Sequence, residues 1–400
     1  MATASPDRSR RLTAVLRGDE ARVKPLELFF DLVFVLALTQ CTALMAKDPT
    51  WEGLARGILI LAVLWWSWSG YAWLTSVINP EEGAVRIAIF AAMAAFLVVA
   101  LCVPQTFGDL GLLFAGAYGV VRVAHIALFW IASREDPDLR SSVAFLGMST
   151  AVGVSLLALA SFLDGVAQGA VWALAIALDY GGPYFLGAAG WKLVPEHFAE
   201  RFGLIIIIAL GESIVAIGAG VTGDVTAGIV AAAILGITLA AMMWWAYFDV
   251  VALVATRRLA SITDRREQNE TARDSYGYLH LPMVAGIVLV ALGLKKTIEH
   301  VDDPLKIVPA FALIGGFAIY LLAHVAFRWR NVHSVNRRRL VLGVALFALL
   351  PLALEIPALA TLAIVAAVAC LLITYEAVRY AEHRDRVRHE LATESGAPEI

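Results

Sequence analysis

The first apolar segment of the chain reads KPLELFFDLVFVLALTQ over residues 24–40. The apolar run continues to Met45, and as a helix rising about 1.5 Å per residue it spans about 30 Å, the thickness of a bilayer's hydrocarbon core. It nevertheless carries two carboxylates, Glu27 and Asp31, which lie one helical turn apart and therefore share a face. The segment predicts a membrane-spanning helix whose acidic face other helices must shield from lipid.

Hydrophobic residues make up 60% of the 400 residues, and charged residues only 16%. Soluble globular domains contain about 25% charged residues, so this composition indicates a polytopic membrane protein of the all-α class. The three cysteines all lie in apolar segments and lack the paired spacing of a disulfide framework or a zinc site. We predict no cofactor and no metal, a lipid bilayer as the surrounding medium, and no nucleic-acid partner.

Twelve apolar runs are long enough to cross a bilayer as helices. They occupy residues 26–46, 54–76, 84–104, 109–132, 139–160, 166–184, 200–220, 224–248, 277–297, 306–328, 338–355 and 357–379. The sixth run ends in a Gly-Gly-Pro sequence, and the eleventh runs into Pro351 and Pro357. Helix ends are therefore hardest to place in these two runs.

Lysine and arginine collect on the cytoplasmic side of membrane proteins. With the N-terminus inside and twelve helices, 25 of the 31 basic residues lie on the cytoplasmic side and five outside, and only Arg122, near mid-membrane, is assigned to neither side. An odd number of helices would remove this asymmetry. The charge distribution predicts a multi-pass protein of the plasma (inner) membrane with both termini in the cytoplasm.

An internal repeat pairs the fourth helix with the tenth, because VRVAHIALFW at residues 121–130 resembles YLLAHVAFRW at residues 320–329. Further matches pair the first helix with the seventh and the second with the eighth. They indicate two tandem six-helix repeats in parallel orientation. The predicted divisions are a basic cytoplasmic arm (1–25), a first repeat (26–190), a second repeat (191–380) and a charged cytoplasmic tail (381–400).

Three segments carry a family resemblance: ELFFDLVFV at 27–35, ERFG at 200–203 with LGES at 210–213, and ARDSY at 272–276 with HLPM at 280–283. They resemble the bacterial low temperature requirement protein A family over nearly the whole chain. That name records a growth phenotype and implies no settled biochemical activity. The first helix is also similar to the endolysosomal potassium and proton channel family, whose six-helix repeats open with Phe-Ser-Asp where this chain has Phe29-Phe30-Asp31.

Polar side chains within the predicted helices are the candidate site residues, since such groups normally face a bundle interior or a water-filled cavity. Most fall in the cytoplasmic half of the membrane, Arg122 lies near its middle, and Glu212 and Lys295 lie in its outer half. This distribution predicts a cytoplasm-facing polar cavity lined by both repeats. The candidates for this transport site are Glu27, Asp31, Arg122, His125, Asp179, Glu200, Arg201, Glu212, Asp249, Tyr276, His280, Lys295, His324 and Arg328.

Two interpretations stay open for the carboxylates and histidines. Glu27 and Asp31 either form structural ion pairs with Arg122 or basic loop residues, or serve as a proton or cation site, because neighbouring carboxylates repel. His125 and His324 either bond to helix carbonyls or act as a pH-sensitive relay.

Two features of the second half bear on function. Glu212 lies deep in an apolar helix, where Leu or Ala would pack better, so we expect a functional role with Lys295 or Lys296 as its ionic partner. Gly315-Gly316 is a candidate break in the tenth helix, and helices broken near mid-membrane are typical of carriers.

The leading hypothesis is a secondary transporter or permease-like protein, with optional proton coupling, that moves a small solute or ion. The alternatives are a cation or proton channel and, behind it, a membrane-embedded enzyme or a stress-related scaffold. No catalytic residue is predicted, because the sequence has no Gly-x-Ser-x-Gly elbow, no phosphate-binding glycine-rich loop and no His-Glu-x-x-His helix.

Overall fold

Every regular element in the computed structural model, which describes residues 22–185 and 190–379, is a helix. The helices are α1 Pro25–Lys47, α2 Trp51–Thr75, α3 Gly83–Cys102, α4 Gly111–Ala132, α5 Pro137–Ala160, α6 Gly165–Phe185, α7 Pro195–Gly220, α8 Ala227–Phe248, α9 Val251–Ser261, α10 Arg265–Thr271, α11 His280–Glu299, α12 Ile307–Val332, α13 Arg337–Leu346, α14 Leu350–Ala353 and α15 Ala358–Arg379. A π-helical segment, Ala272–Tyr278, joins α10 to α11, and a 3-10 turn, Phe347–Leu349, joins α13 to α14. The predicted tail and all but the last four residues of the predicted arm lie outside the described residues.

Ten helical stretches among the described residues are long and apolar enough to cross a membrane, which confirms an all-helical, multi-pass protein. Two of these stretches contain more than one helix: Ala227–Ser261 combines α8 and α9, and Arg265–Glu299 combines α10, the π-helical segment and α11. The sixth and eleventh predicted runs are helical but fall short as spans, so the expected twelve spans become ten by this measure. α6 carries the buried polar residues Gln168 and Asp179, while α13 opens with three arginines and ends at the 3-10 turn.

The Cα positions of the described residues group into two compact units, one formed by the residues up to Ile205 with Ile262–Leu281 and the other by Ile206–Ser261 with the residues from Pro282 onward. Each contains part of α7, because the division at residue 205 falls inside that helix. The predicted repeat boundary at residue 190 derives from sequence similarity, so it stays a prediction.

Several helix starts follow directly from local sequence. α1 and α5 begin at Pro25 and Pro137, because proline has a helical φ and its missing N–H needs no partner in the first turn. The Asp136 side chain caps α5 by accepting a hydrogen bond from the Leu139 amide at 3.1 Å. These short-range signals set where the polar residues of each helix lie along its length.

The core of the first unit is rich in aromatic rings. Phe30 stacks on Tyr71 with ring centroids 4.7 Å apart, and Phe34 stacks on Phe96 at 6.1 Å. Trp68 is fully buried and packs against Phe34. Within a bilayer such contacts stabilise helix packing through van der Waals interactions, because lipid tails are themselves apolar. The rings hold α1, α2 and α3 together and leave polar groups only at defined positions.

Glycines let α11 and α12 approach closely within the second unit. A Cβ atom on Gly293 would lie 2.6 Å from Leu313 Cα, and one on Gly316 would lie 2.8 Å from the Gly286 carbonyl oxygen. α12 runs unbroken through Gly315-Gly316, so the expected break at these glycines is wrong. Small residues that admit a neighbouring backbone are a common way to pack membrane helices.

Candidate functional site

Four buried ionisable side chains of the first unit form what we call the charge cluster: Glu27 and Asp31 on α1, with His197 and Arg201 on α7. Arg201 donates to Asp31 from both terminal nitrogens, at 2.7 Å to Oδ2 and 2.9 Å to Oδ1. His197 Nε2 lies 2.9 Å from Glu27 Oε1, and Arg201 Nε lies 3.9 Å from the same oxygen. All four side chains are at most 2% exposed. The arginine therefore serves two carboxylates at once.

The spacing of these residues along their helices creates the cluster. Glu27 and Asp31 are four residues apart, as are His197 and Arg201, so each pair shares one helix face. Glu27 also lies in the first turn of α1, where the helix dipole stabilises a negative charge and the Lys24 amide donates to its Oε2 at 2.7 Å. Two facing pairs thus stack one turn apart.

The ionic partner that the sequence analysis offered for Glu27 and Asp31 is wrong. We expected Arg122 or loop residues, but Arg201 and His197 take that place, because Arg122 is bound elsewhere. Glu200, placed in the polar core by the sequence comparison, is exposed and accepts a hydrogen bond from the Val23 amide at 3.1 Å. His197 was missed, although its four-residue spacing from Arg201 matches that of Glu27 and Asp31.

Aromatic side chains enclose the charge cluster. Trp68 Nε1 donates to Asp31 Oδ1 at 2.8 Å, and the Arg201 guanidinium carbon lies 5.5 Å from the centre of the Trp68 ring. Phe202 packs edge-on against Trp68, Tyr276 and His280. Apolar walls of this kind lower the local dielectric, so the ionic interactions inside are stronger than in water.

The π-helical segment Ala272–Tyr278 lies against α2 in the same unit. Trp65 Nε1 donates to the Gly277 carbonyl at 2.7 Å, and the Ser275 carbonyl accepts from His280 Nδ1 at 3.0 Å. Tyr276 and His280 stack with ring centroids 5.1 Å apart. Both are predicted site residues. Each packs against Phe202, the residue after Arg201, so both lie beside the charge cluster. π-helical turns occur frequently at functional sites.

Arg122 on α4 lies in a second buried ionic group of this unit. Its Nη2 donates to Thr150 Oγ1 at 2.6 Å and to Asp179 Oδ1 at 3.3 Å. Thr150 also donates to Asp179 at 3.0 Å. His125, one turn further along α4, donates from Nε2 to the Gly70 carbonyl at 2.9 Å. The predicted candidates Arg122, His125 and Asp179 thus form one local group.

A large cavity with both polar and apolar lining residues lies within the second unit, with a volume of about 910 Å³. Three predicted candidates line it: Asp249, His324 and Arg328. The buried His324 donates from Nδ1 to the Tyr320 carbonyl at 2.8 Å, which matches the carbonyl-bonded alternative. Every lining residue belongs to the second unit. We call it the second-unit cavity.

The remaining candidates, Glu212 and Lys295, also belong to the second unit. Glu212 is 1% exposed and its neighbour Ser213 is fully buried, as expected for a residue deep in the helix. Lys296, one of its two expected partners, instead pairs with Glu299 at 2.6 Å in the last turn of α11. Lys295 is half-buried.

Across residues 22–185 and 190–379, no three His, Cys, Asp or Glu side chains group closely enough to hold a metal ion. The charge cluster has the chemistry to bind or release a proton, since it combines two carboxylates with an imidazole. The second-unit cavity has the volume for a small organic solute.

Comparison with known proteins agrees with the motifs. The family model described as "Bacterial low temperature requirement A protein (LtrA)" matches residues 22–374. An uncharacterized protein of Rhizobium meliloti is 29% identical over 315 residues, which cover 76% of each chain. No solved structure matches this chain. The match over most of the length confirms the resemblance: the chain belongs to the bacterial low temperature requirement A protein family.

Proposed function

We propose that this protein is a proton-coupled secondary transporter in which the charge cluster is the proton site. The observation that carries this proposal is the sharing of one buried guanidinium by two buried carboxylates, with an imidazole in contact with one of them.

Charge balance explains why this arrangement favours protons. With His197 neutral, two carboxylates and one arginine leave these four side chains with a net charge of −1. A net charge within a membrane-spanning bundle is unfavourable by several kcal/mol, and one added proton removes it. His197 lies at hydrogen-bond distance from Glu27, so the proton can be held between the two groups. Protonation then weakens the ionic contact between α1 and α7.

The second-unit cavity is the proposed solute site. Its volume falls within the range of about 300–1,000 Å³ typical of small-molecule sites. Its lining combines Asp249, Arg328 and the Arg339–Glu376 ion pair with apolar residues, which suits a polar solute.

The proposal includes two six-helix repeats with both termini in the cytoplasm. A similar hydrogen bond in each half supports the repeat: Tyr71 on α2 donates to the Val121 carbonyl on α4, and Tyr320 on α12 donates to the Met243 carbonyl on α8. In both cases a tyrosine links the second and fourth helices of the proposed repeat, although the tyrosine lies on the second helix in the first half and on the fourth helix in the second half. The lysine and arginine distribution supports the orientation.

The test uses the purified full chain in liposomes that contain a pH-sensitive dye. An imposed membrane potential should drive proton entry that saturates and that increases when the transported member of a solute library is present. Asp31→Asn and Glu27→Gln should reduce this coupled entry at least tenfold, while Glu200→Gln, an exposed acidic control on α7, should leave it unchanged.

Two results would contradict the proposal. Coupled proton entry that survives both substitutions would place the proton site elsewhere. Fast electrogenic flux that shows no saturation and no solute dependence would identify a channel.

A further inference from the structure

A small cavity of about 60 Å³ lies inside the first unit, apart from the charge cluster and the second-unit cavity. Arg122 and His125 line it together with Trp66, Trp73, Trp191 and Arg273. We call it the Arg122 cavity. The proposed transport mechanism assigns it no role.

Arg122 is only partly satisfied by the protein. Its Nη2 binds Thr150 and Asp179, but its Nη1 and Nε have no hydrogen-bond partner among the described residues, and the residue is 1% exposed. The Nδ1 atom of His125 has no hydrogen-bond partner within the described part of the chain either, but it is an acceptor in the neutral ring because Nε2 donates to Gly70, so the unpaired donors are those of Arg122 alone. Leaving buried charged donors unpaired is strongly unfavourable, so a group that accepts hydrogen bonds is expected here.

The charged residues around the Arg122 cavity indicate that the expected hydrogen-bond acceptor is an anion. Its lining contains two arginines, Arg122 and Arg273, and no carboxylate. The two nearby acids bind outside the lining: Asp179 contacts Arg122 Nη2, and Asp274 contacts Nε and Nη2 of Arg273. The Nε and Nη1 atoms of Arg122 carry three N–H groups without a partner among the described residues, and such a guanidinium is suited to a carboxylate or another oxyanion.

Volume limits the size of the ligand. One water molecule requires about 10–15 Å³ of cavity space, so a cavity of about 60 Å³ accommodates roughly four to six non-hydrogen atoms of that size. Two tryptophan side chains of the lining are held in place and restrict the space further. The Trp66 and Tyr180 ring centroids lie 4.2 Å apart, and the Trp73 and Trp191 ring centroids lie 5.9 Å apart. We propose that the Arg122 cavity binds a small monovalent oxyanion of four or five non-hydrogen atoms, such as a short carboxylate, hydrogencarbonate or dihydrogen phosphate.

The test measures binding to the detergent-purified full chain, without a gradient, so that its outcome is independent of the proposed transport. Sodium acetate, hydrogencarbonate and phosphate are each titrated at constant ionic strength against sodium gluconate, whose anion is too large for the cavity. The readouts are the thermal unfolding midpoint and tryptophan fluorescence. At least one small oxyanion should raise the midpoint and change the fluorescence with the same saturating dependence on concentration, and gluconate should do neither.

Variants connect this signal to Arg122. The double substitution Arg122→Gln with Asp179→Asn removes both members of the buried pair, so neither charge is left unpaired, and it should weaken binding at least tenfold. Arg140→Gln, which changes an exposed arginine of α5, should bind like the wild type. Size-exclusion elution and helical circular dichroism verify that each variant is folded.

Two outcomes would overturn the proposal. If all three small anions behave like gluconate, the cavity holds water alone. If the folded double variant keeps the wild-type binding curve, the anion binds at another place.

Discussion

Arg201 on α7 binds Asp31 on α1 through both terminal guanidinium nitrogens, at 2.7 and 2.9 Å, in a site where neither side chain is more than 1% exposed. Bidentate geometry makes this the strongest kind of arginine–carboxylate contact. The same arginine approaches Glu27, so its loss would leave two buried carboxylates without their cation.

Arg201→Gln should therefore lower the free energy of unfolding by about 3–5 kcal/mol, the typical effect of removing one partner of a buried ion pair. The measurement is unfolding by SDS titration in mixed micelles. Arg140→Gln is the matched control, because its exposed side chain should contribute less than about 1 kcal/mol. Equal effects of the two substitutions would show that the Asp31 contact does not stabilise the fold.

Trp68→Phe tests the indole donor at the same carboxylate. Hydrogen bonds to charged groups contribute about 1.5–3 kcal/mol, and phenylalanine cannot donate to Asp31. Trp66→Phe removes the same ring atoms at a neighbouring buried position, where Nε1 has no hydrogen-bond partner among the described residues. We expect the Trp68 variant to unfold at clearly lower SDS concentration than the Trp66 variant. The reverse order would contradict the assigned role of the indole.

Gly293→Ala tests the close approach of α11 and α12. The new Cβ would lie 2.6 Å from the Leu313 backbone, so the helices must separate, and overpacking of this kind typically costs about 1–3 kcal/mol. Gly211→Ala on α7 is the control, since nothing lies within 4 Å of the methyl group that it would gain and the lower helix propensity of glycine predicts slight stabilisation. Thermal unfolding in detergent compares the two. An unchanged midpoint for Gly293→Ala would refute the tight contact.

Asp136 provides a pH-dependent contribution outside the membrane-spanning segments. The hydrogen bond from Lys192, 2.8 Å away, and that from the Leu139 amide lower the pKa of this carboxyl below its ordinary value near 4. Because the folded-state pKa is the lower one, the contribution is present above about pH 4 and is lost as pH falls through the folded-state pKa.

Asp136→Asn should remove this pH dependence while keeping the helix cap, because asparagine also caps helices well, whereas Asp136→Ala should lose about 1 kcal/mol more. Unfolding midpoints between about pH 3 and pH 7 separate the two effects. If the unfolding midpoint of Asp136→Asn depends on pH as that of the wild type does, the Lys192 contact is not the source of the pH dependence.

The positions of the helices along the chain could be predicted from sequence because bilayer thickness imposes a length and lipid imposes an apolar composition. The ten helical stretches that are long and apolar enough to cross a membrane follow these constraints. The two weaker runs are those with buried polar residues, prolines or a cluster of arginines, where the same signals conflict. The family could likewise be recognised, since its motifs are contiguous.

Which charged residues meet could not be predicted in this way. Arg122 and Arg201 are both arginines within helices, and each could in principle neutralise Asp31. The choice depends on which helices are neighbours and how each is rotated about its axis, and neither property is encoded in hydropathy or spacing. Sequence alone thus determined that Glu27 and Asp31 share a shielded face of α1. Only the tertiary structure decided that Arg201 and His197 cover that face, because α7 packs there with both side chains one turn apart.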